Sequence, residues 1–507
     1  MTDKIETGNI PKEKFEFAQR EQALHDVKLD TKPIGYFRDA FNRFKRNKGS
    51  VVSAVIILLL LLYAIITPIF SPYSATFKDG FYSTVLPKIS AKANGFWDGT
   101  KRERLGEIKY DYYSAVGQET GLNPLKKEYG TVLSDDGLST LYDVKLDTYY
   151  KVGCQFLDLK PEEYAALMKY QNDNNVQVIY PMTEESKRPT AYRSDANYWY
   201  RTTGSRGKAD KDENGNFVDI YMRDGSDGGV TDLDKYDSLR IDGDDGTLQY
   251  AFKNQTGYRV RVCYYRYFEY VNGFEPCFVF GTTGNGQDLF GALARGARFS
   301  FILAISVSLI NMIIGAIFGA IEGYYGGALD LVMERFVEIL SGVPFIILAT
   351  LFQFHLSNKV GVVPSLLFAF VLTGWIGTAA TVRTQFYRFK HQEYVLAART
   401  LGAKDARLMF RHIFPNSLGT IITSSVLVIP GVIGTESMLS YLNIVNLEGS
   451  GTTSVGALLS AGQGLMSTDP HVLLFPAVFL ALLMICFNLF GNGLRDAFNP
   501  SLRGSGE

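Results

Sequence analysis

The sequence has no phosphate-binding loop. No Gly-x-x-x-x-Gly-Lys-Ser/Thr occurs, and the glycine-rich stretch 281–289, GTTGNGQDL, has no lysine to reach a phosphate. Hydrolysis of ATP by this chain is therefore not expected. His-Glu-x-x-His and Gly-x-Ser-x-Gly are absent too, and the five histidines (His25, His355, His391, His412 and His471) are scattered. An enzyme acting alone is disfavoured. An excess of charge of either sign is also missing, with 51 Lys+Arg against 52 Asp+Glu. A nucleic-acid partner, which needs a basic face, is not expected. Cysteine is scarce and there is no Cys-x-x-Cys. Cys486 falls in the last apolar run, which leaves Cys154, Cys263 and Cys277. Three thiols make at most one bridge, and Cys263 with Cys277 is the pair expected.

What the chain does have is long apolar runs. A mean hydropathy near zero hides two populations. Apolar segments lie toward both ends, and a polar, tyrosine-rich block separates them. Six uncharged runs, 51–70, 299–321, 339–357, 360–382, 417–435 and 472–494, are long enough to cross a bilayer, which takes about 20 residues. The first follows Arg38, Arg43, Lys45, Arg46 and Lys48, a cluster that holds the N-terminus in the cytoplasm. Alternation then puts 71–298 outside, and the C-terminus inside. Arg383, Arg388, Lys390, Arg399, Lys404, Arg407 and Arg411 fill one inner loop, so the two ends of the topology agree. The first run is too long, and its polar prelude wrong, for a cleaved signal peptide.

Four regions follow: a cytoplasmic tail and interfacial helix (1–50), the first span (51–70), an extracytoplasmic block (71–285), and a five-span core (286–507). The tail 1–33 is polar and ends at Pro33. Residues 34–47 place Tyr36, Phe37, Phe41 and Phe44 about a helical turn apart, with Arg and Lys opposite, as in a helix lying on the inner leaflet. The outer block is large enough for a core of its own. Within it, 161–171 (PEEYAALMKYQ) predicts a helix with Pro at its start. Residues 176–180 and 198–202 predict strands, and 248–254 with 258–270 a hairpin about Gln255-Thr256-Gly257. The class is mixed α+β.

The inner loop 391–416 carries the most specific pattern. Residues 393–401 are good helix formers, Gly402 suits a left-handed cap, 404–414 restart the helical period, and Pro415 ends it. Two short helices meeting at a sharp bend on the membrane surface are expected. The spacing of Ala397, Ala398, Gly402 and Pro415 resembles the coupling loop of ABC-importer permeases, with Leu396 where that motif has its glutamate. The resemblance extends from about 281 to 504, with 38–72 fitting the family's N-terminal segment. Gly296-Ala297-Arg298-Phe299-Ser300 opens the second span. Gly323-Tyr324-Tyr325-Gly326-Gly327 and Asp330 form the first inner loop, with Met333 and Arg335 after it. Pro344, Gly374-Trp375, Arg383, Gln385, Arg411-His412-Ile413, Pro415-Asn416, Thr435-Glu436, Asn488-Leu489, Gly493-Leu494-Arg495-Asp496-Ala497 and Asn499-Pro500 follow in order. The series looks like the C-type permease subunit of oligopeptide/dipeptide importers. Departures are Thr283-Gly284-Asn285-Gly286-Gln287, where relatives carry an acidic-Gly-Arg stretch, and Asn492 in place of aspartate.

The resemblance implies an α-helical polytopic membrane protein, with six transmembrane helices of the type I ABC importer permease kind and the extracytoplasmic insertion between helices 1 and 2. It implies half of a translocation pore in a bacterial cell membrane, with both termini cytoplasmic. The partners implied are a second homologous permease, two ATP-binding ABC ATPase subunits, an extracytoplasmic peptide-binding lipoprotein and membrane lipid. The chain itself carries no cofactor, and ATP is bound by the partners. Glu393, Ala397, Ala398, Gly402, Arg407 and Pro415 are the residues expected to couple to the ATPase.

Pro344, Trp375 and Glu436 are pore or gate candidates. Glu436 is an acid within an apolar pattern, where a carboxylate costs several kcal/mol unless satisfied; hydration near the outer interface is the other reading. Asp330 and Arg335 are expected to pair. Glycines at 315, 319, 342, 374, 377, 431 and 434 serve either close packing or hinge motion. Asp210-x-Asp212-x-Asn214-Gly215 matches the first half of a calcium loop, but Tyr221 stands at position twelve, so an Asx-rich surface turn competes with a Ca2+ site. Dipeptides, nickel complexes or another small solute remain alternative cargoes. A receptor with a sensing ectodomain and a passive channel are the rival classes.

Overall fold

The computed structural model describes residues 36–498, except 91–92, 94, 96, 135–138, 205–206, 222–235, 243–246, 254–256, 446 and 448–452. For Tyr36 and residues 236–253 it describes the backbone. The tail 1–33, the turn residues Gln255 and Thr256, and the closing Asn499-Pro500 lie outside the described residues.

The amphipathic helix expected near the start is α1 (Tyr36–Arg46). Its Phe37 and Phe41 are exposed, while Ala40 and Phe44 are buried. Phe44 meets Phe490 edge-on at 5.5 Å, so this helix is anchored to the end of the chain. Helix α2 (Lys48–Phe70) is the first span, capped by Asn47, whose side chain accepts from the Ser50 N–H.

The block that follows is α+β. In order it comprises β1 (Thr100–Gly106), α3 (Glu107–Thr120), β2 (Leu125–Leu133), β3 (Thr140–Asp147), β4 (Cys154–Leu159), α4 (Pro161–Asn174), β5 (Ile179–Tyr180), β6 (Thr202–Thr203), β7 (Lys208–Ala209), β8 (Tyr236–Asp242), β9 (Thr247–Lys253), β10 (Tyr258–Cys263) and α5 (Tyr264–Asn272). One sheet runs β1-β3-β2, a second β4-β10-β9-β8 with β5 also on β10, and β6 pairs β7. The expected helix at 161–171 is α4, with Pro161 at its first turn. The hairpin is β9 and β10, antiparallel, with Tyr258 opposite Lys253.

Strand structure stops at Cys263, however, and 264–270 is helical. The stretch YYRYFEY satisfies both periods. Helix wins because Tyr264, Tyr265 and Phe268 then fall on one buried face. Of the expected strand 198–202 only Thr202 is strand, opening β6. Tyr198, Trp199 and Tyr200 are all buried, and only Tyr200 makes a bridge, to Asp219. In 176–180 only β5 is strand.

The second half is helical: α6 (Leu289–Tyr325), α7 (Gly327–Ser341), α8 (Phe345–Val360), α9 (Val362–Gly374), α10 (Ile376–Phe389), α11 (Glu393–Thr400), α12 (Asp405–Arg407), α13 (Phe414–Tyr441), α14 (Val455–Gln463) and α15 (His471–Phe498). Among the described residues five helices are long and apolar enough to cross a membrane, or six if the bent pair α7–α8 is one span. That pair bends by 71° at Pro344, which caps α8 and supplies no N–H to continue α7. The main core joins α2, α6, α9, α13, α14 and α15 through residues such as Ile57, Leu293, Phe301, Leu366, Ile433 and Leu483. Helices α6 and α10 approach closely: a Cβ at Gly315, Gly319 or Gly323 would lie 2.8 Å from the Trp375 carbonyl, 2.2 Å from that of Ala379 or 2.7 Å from that of Arg383. Close packing, one of the two roles expected for Gly315 and Gly319, is what they serve here.

The α+β block seats on this bundle through rings. Phe280 stacks on Phe475 at 4.2 Å, and Trp97 contacts both.

Candidate functional site

The loop 391–416 forms a compact knob at the C-terminal ends of α6 and α10. Helix α11 ends at Thr400 with Leu401 as its C-cap, and Gly402 takes φ +84, where a side chain would be strained. The Ala403 N–H returns to the Ala398 carbonyl at 3.1 Å. So far the expected helix–glycine–helix holds. The second helix does not end at Pro415. Residues 405–441 run as one continuous helix, with a π turn over Leu408–Ile413 that leads into α13. Proline removes an N–H and crowds the preceding turn, and the wider π turn accommodates it: the Phe414 N–H reaches back to the Met409 carbonyl. The loop is thus rigidly continuous with the fifth span.

The knob has two faces. Val395, Leu408, Met409 and Ile413 are buried, with Ala398 and Ala403 beside them, against Ala316, Ala320 and Tyr324 of α6 and Val382 and Phe386 of α10. Glu393, Ala397, Gly402, Arg407 and Pro415 are exposed and Ala398 is half-buried. Leu396, Leu401 and Phe410 are exposed too, Leu401 at 88%. An apolar ridge with basic residues beside it has the character of a protein-docking surface.

Ionic and phenolic contacts tie α10 to α7 and to the end of α6 beside the knob, and bind the knob itself to α6. The Arg383 guanidinium makes two bonds to Asp330, at 2.8 and 2.9 Å, and lies 3.2 Å from Glu334 and 3.5 Å from Glu322. The Tyr387 hydroxyl donates to Asp330 at 2.5 Å. Lys390 Nζ donates to the Gly323 carbonyl at 3.0 Å. Burial pulls its pKa below that of a free lysine, against the opposing pull of Asp330. The Tyr324 hydroxyl donates to Asp405 at 2.5 Å and accepts from Arg399 at 3.1 Å. Asp405 and Arg399 flank Gly402, so the end of α6 grips both arms of the knob.

The expected Asp330–Arg335 pair is not formed. Five residues apart on a helix, the two do not share a face; Arg335 pairs with Glu338 instead. Sequence reading missed Glu322, Glu334, Asp405 and the role of Arg383. The available signal was Glu322, Asp330 and Glu334 in a loop expected to lie inside, where basic residues are the rule.

The remaining candidates are not brought together. Pro344 is exposed at the α7–α8 bend. Trp375 is buried against Phe318 at 4.6 Å and donates its indole N–H to the Leu372 carbonyl. Glu436 is fully buried and accepts from the Ser300 and Ser440 hydroxyls, each at 2.9 Å. None of the three lines the cavity of about 380 Å³ framed by Thr283, Asn285, Gln287, Ser440, Asn443 and Ser460.

In the calcium-like loop, Asp210 is bound by Arg201 at 2.6 Å, and Asp212 accepts the N–H groups of Asn214 and Asn216. Those backbone bonds hold the Asp212 carboxyl below the usual range. Among the described residues no group of three or more His, Cys, Asp or Glu could hold a metal. The arrangement is an Asx turn, and Asn214 serves it through its backbone. The expected Cys263–Cys277 bridge is not formed: Cys277 Sγ lies 3.1 Å from the Lys88 carbonyl, while Cys263 stands in register with Cys154 on the neighbouring strand, and the structure records no disulfide between any two cysteines.

Comparison with known proteins follows the same division. Residues 284–504 match the family of the binding-protein-dependent transport system inner membrane component. Residues 35–84 match the N-terminal TM domain of oligopeptide transport permease C. The chain is similar to the oligopeptide transport system permease protein OppC of Bacillus subtilis (strain 168), 39% identical over 44% of this chain and 72% of that one. It is similar to OppC of Haemophilus influenzae, 41% identical over 44% and 70%. It is also similar to the dipeptide transport system permease protein DppC of Bacillus subtilis (strain 168), 37% identical over 44% and 69%.

Proposed function

The chain belongs to the binding-protein-dependent transport family of inner-membrane permeases, and from that premise we propose that it is the C-type permease subunit of an ATP-driven oligopeptide importer. It forms half of the pore and performs no covalent chemistry. A second homologous permease completes the pore, and two cytoplasmic ABC ATPases bind and hydrolyse ATP. An extracytoplasmic peptide-binding lipoprotein delivers the cargo. Both termini and the 391–416 knob face the cytoplasm, and the insertion of 71–285 lies outside. The names of the relatives favour oligopeptides, with dipeptides second.

The observation that carries this reading is the knob itself: a rigid helix–glycine–helix with an exposed apolar ridge, continuous with a spanning helix and gripped by the end of another. Glu393, Ala397, Ala398, Gly402, Arg407 and Pro415 belong to the surface that docks into an ATPase. Force applied there moves α13 directly and α6 through Tyr324. The bend at Pro344 is the soft point of the pore-forming helices.

The test is Gly402→Val. A β-branched residue is strained at φ +84 and distorts the ridge without touching a span. Insertion into the membrane stays at the wild-type level, while peptide uptake falls at least tenfold and ATP hydrolysis loses its dependence on peptide. Wild-type uptake in that variant would falsify the docking role.

A further inference from the structure

Strands β4 and β10 bring two thiols face to face. Cys263 stands opposite Cys154 in the antiparallel register. The Cys263 N–H donates away from the pair, to the Val178 carbonyl at 2.8 Å, and the Cys154 N–H donates to Asn197 Oδ1 at 2.7 Å. One step along, the Tyr264 N–H does cross, to the Gly153 carbonyl at 2.9 Å. Cys154 and Cys263 therefore occupy a non-hydrogen-bonded position of the ladder. Side chains there leave on one face, with Cα atoms about 4.5 Å apart. That separation lies within the window of about 4.4–6.8 Å that a disulfide requires.

We propose that Cys154 and Cys263 form a cross-strand disulfide that staples the five-stranded sheet of the outer domain. The inference goes beyond transport, and rests on the reading above only for the side of the membrane: a bridge persists in an oxidising space outside the cell membrane and not in the cytosol. Each thiol gives up one proton. The two sulfurs together lose two electrons and form one S–S bond, and an extracytoplasmic disulfide oxidant takes up the electrons and becomes a dithiol.

The surroundings tolerate the change. The polar contact of the Cys154 thiol is a 3.8 Å approach to Glu119. That carboxylate keeps Arg261 at 2.5 and 2.6 Å and the Tyr221 hydroxyl at 2.8 Å, so the bridge orphans no buried group. Both sulfurs are buried. Burial pushes Cys263 up to about 11 and Cys154 well above an ordinary thiol. Thiolate is thus scarce in the folded pair, and oxidation belongs to the folding chain, before β4 and β10 close. The same burial then shields the bridge from reductants.

The experiment uses the full chain in native membranes. The protein is denatured without reductant, alkylated with a maleimide, and mapped by mass spectrometry. The expected result is a linked Cys154–Cys263 peptide pair, with Cys277 and Cys486 alkylated. In Cys154→Ala, Cys263 becomes alkylated. Dithiothreitol lowers the melting temperature of the wild-type protein by several degrees and leaves the Cys154→Ala/Cys263→Ala variant unmoved. Full alkylation of both thiols in the unreduced wild type overturns the bridge, as does a link to Cys277. Glu162→Cys, added to the double variant and probed with a membrane-impermeant maleimide on intact cells, separates the two readings. Labelling of Cys at 162 together with free thiols in the wild type overturns the bridge alone. No labelling there overturns the orientation and the bridge with it.

Discussion

The α+β insertion and the spanning core solve the same packing problem with opposite materials. The insertion fills its centre with rings: Tyr82, Tyr149, Phe268 and Phe278 are buried together, and Tyr73 stacks on Phe278 at 4.6 Å. It also buries a charge pair, Arg261 with Glu119, at 0% and 4% exposure. The core joins helices by removing side chains. Gly315, Gly319 and Gly323 let α6 lie on the backbone of α10, and hydroxyls bridge helices, as from Ser308 to the Ser425 carbonyl at 2.6 Å. In water, burying a large ring is itself the driving force. Between helices in lipid that force is absent, and close approach with hydrogen bonds takes its place. The boundary between the two materials falls near Phe280, within a few residues of where the family match begins.

The sharpest way to break that contrast is Gly319→Leu. Even the Cβ would sit 2.2 Å from the Ala379 carbonyl oxygen, a backbone atom that cannot swing aside. The level of folded protein in the membrane is expected to fall at least tenfold. Gly377→Leu, where a Cβ meets nothing within 4 Å, is expected to leave that level unchanged. Equal levels for the two variants would show that small residues on α6 are not what holds it to α10.

The second effect belongs to the insertion. Glu119→Gln leaves the Arg261 guanidinium buried without its counter-charge, with the neutral amide oxygen and the Ala196 and Pro181 carbonyls to hold it. A cost of about 3–5 kcal/mol is expected, read as a lower unfolding midpoint of the purified protein. Glu119→Leu with Arg261→Met removes both charges, and is expected to recover most of that loss.

At the knob the expected effect is smaller. Tyr324→Phe deletes the hydroxyl that joins Asp405 and Arg399 to α6 and leaves the ring in place. Stability should drop by about 1 kcal/mol, the net worth of an exchanged hydrogen bond. Uptake should fall further than stability does, because the link between knob and α6 is what the variant loses. A proportional fall in both would assign Tyr324 to packing alone.

Much of this was legible in the sequence, and for uneven reasons. Apolar runs and the helix–glycine–helix are local patterns, so the spans, α4 and the bend at Gly402 could be read directly. The α7–α8 break was announced by Pro344. What failed were the pairings. Asp330 finds Arg383 across more than fifty intervening residues, and Cys263 finds Cys154 across more than a hundred. Neither pairing leaves a periodic trace. The aromatic run 264–270 failed differently, since its residues fit a strand and a helix equally, and burial of one face decided. Pro415 was read as a stop because a proline normally is one; the π turn that lets the helix pass leaves no mark in the sequence.

Glu436 gives the comparison its smallest and most discriminating test. Like Glu119 it is a buried carboxylate, but its neighbours are serine hydroxyls, those of Ser300 and Ser440 together with Ser454 and Ser437, rather than a cation. A hydroxyl accepts as readily as it donates. Glutamine at 436 can therefore take some of these serines as donors through its carbonyl and offer its NH2 to others, so the cluster keeps its hydrogen bonds without a charge. Glu436→Gln is expected to change the unfolding midpoint by less than about 1 kcal/mol and to leave uptake near wild type, whereas Glu119→Gln does not. If uptake collapses while stability holds, the negative charge itself works in transport, and Glu436 belongs to the gate rather than to the packing of α6 on α13.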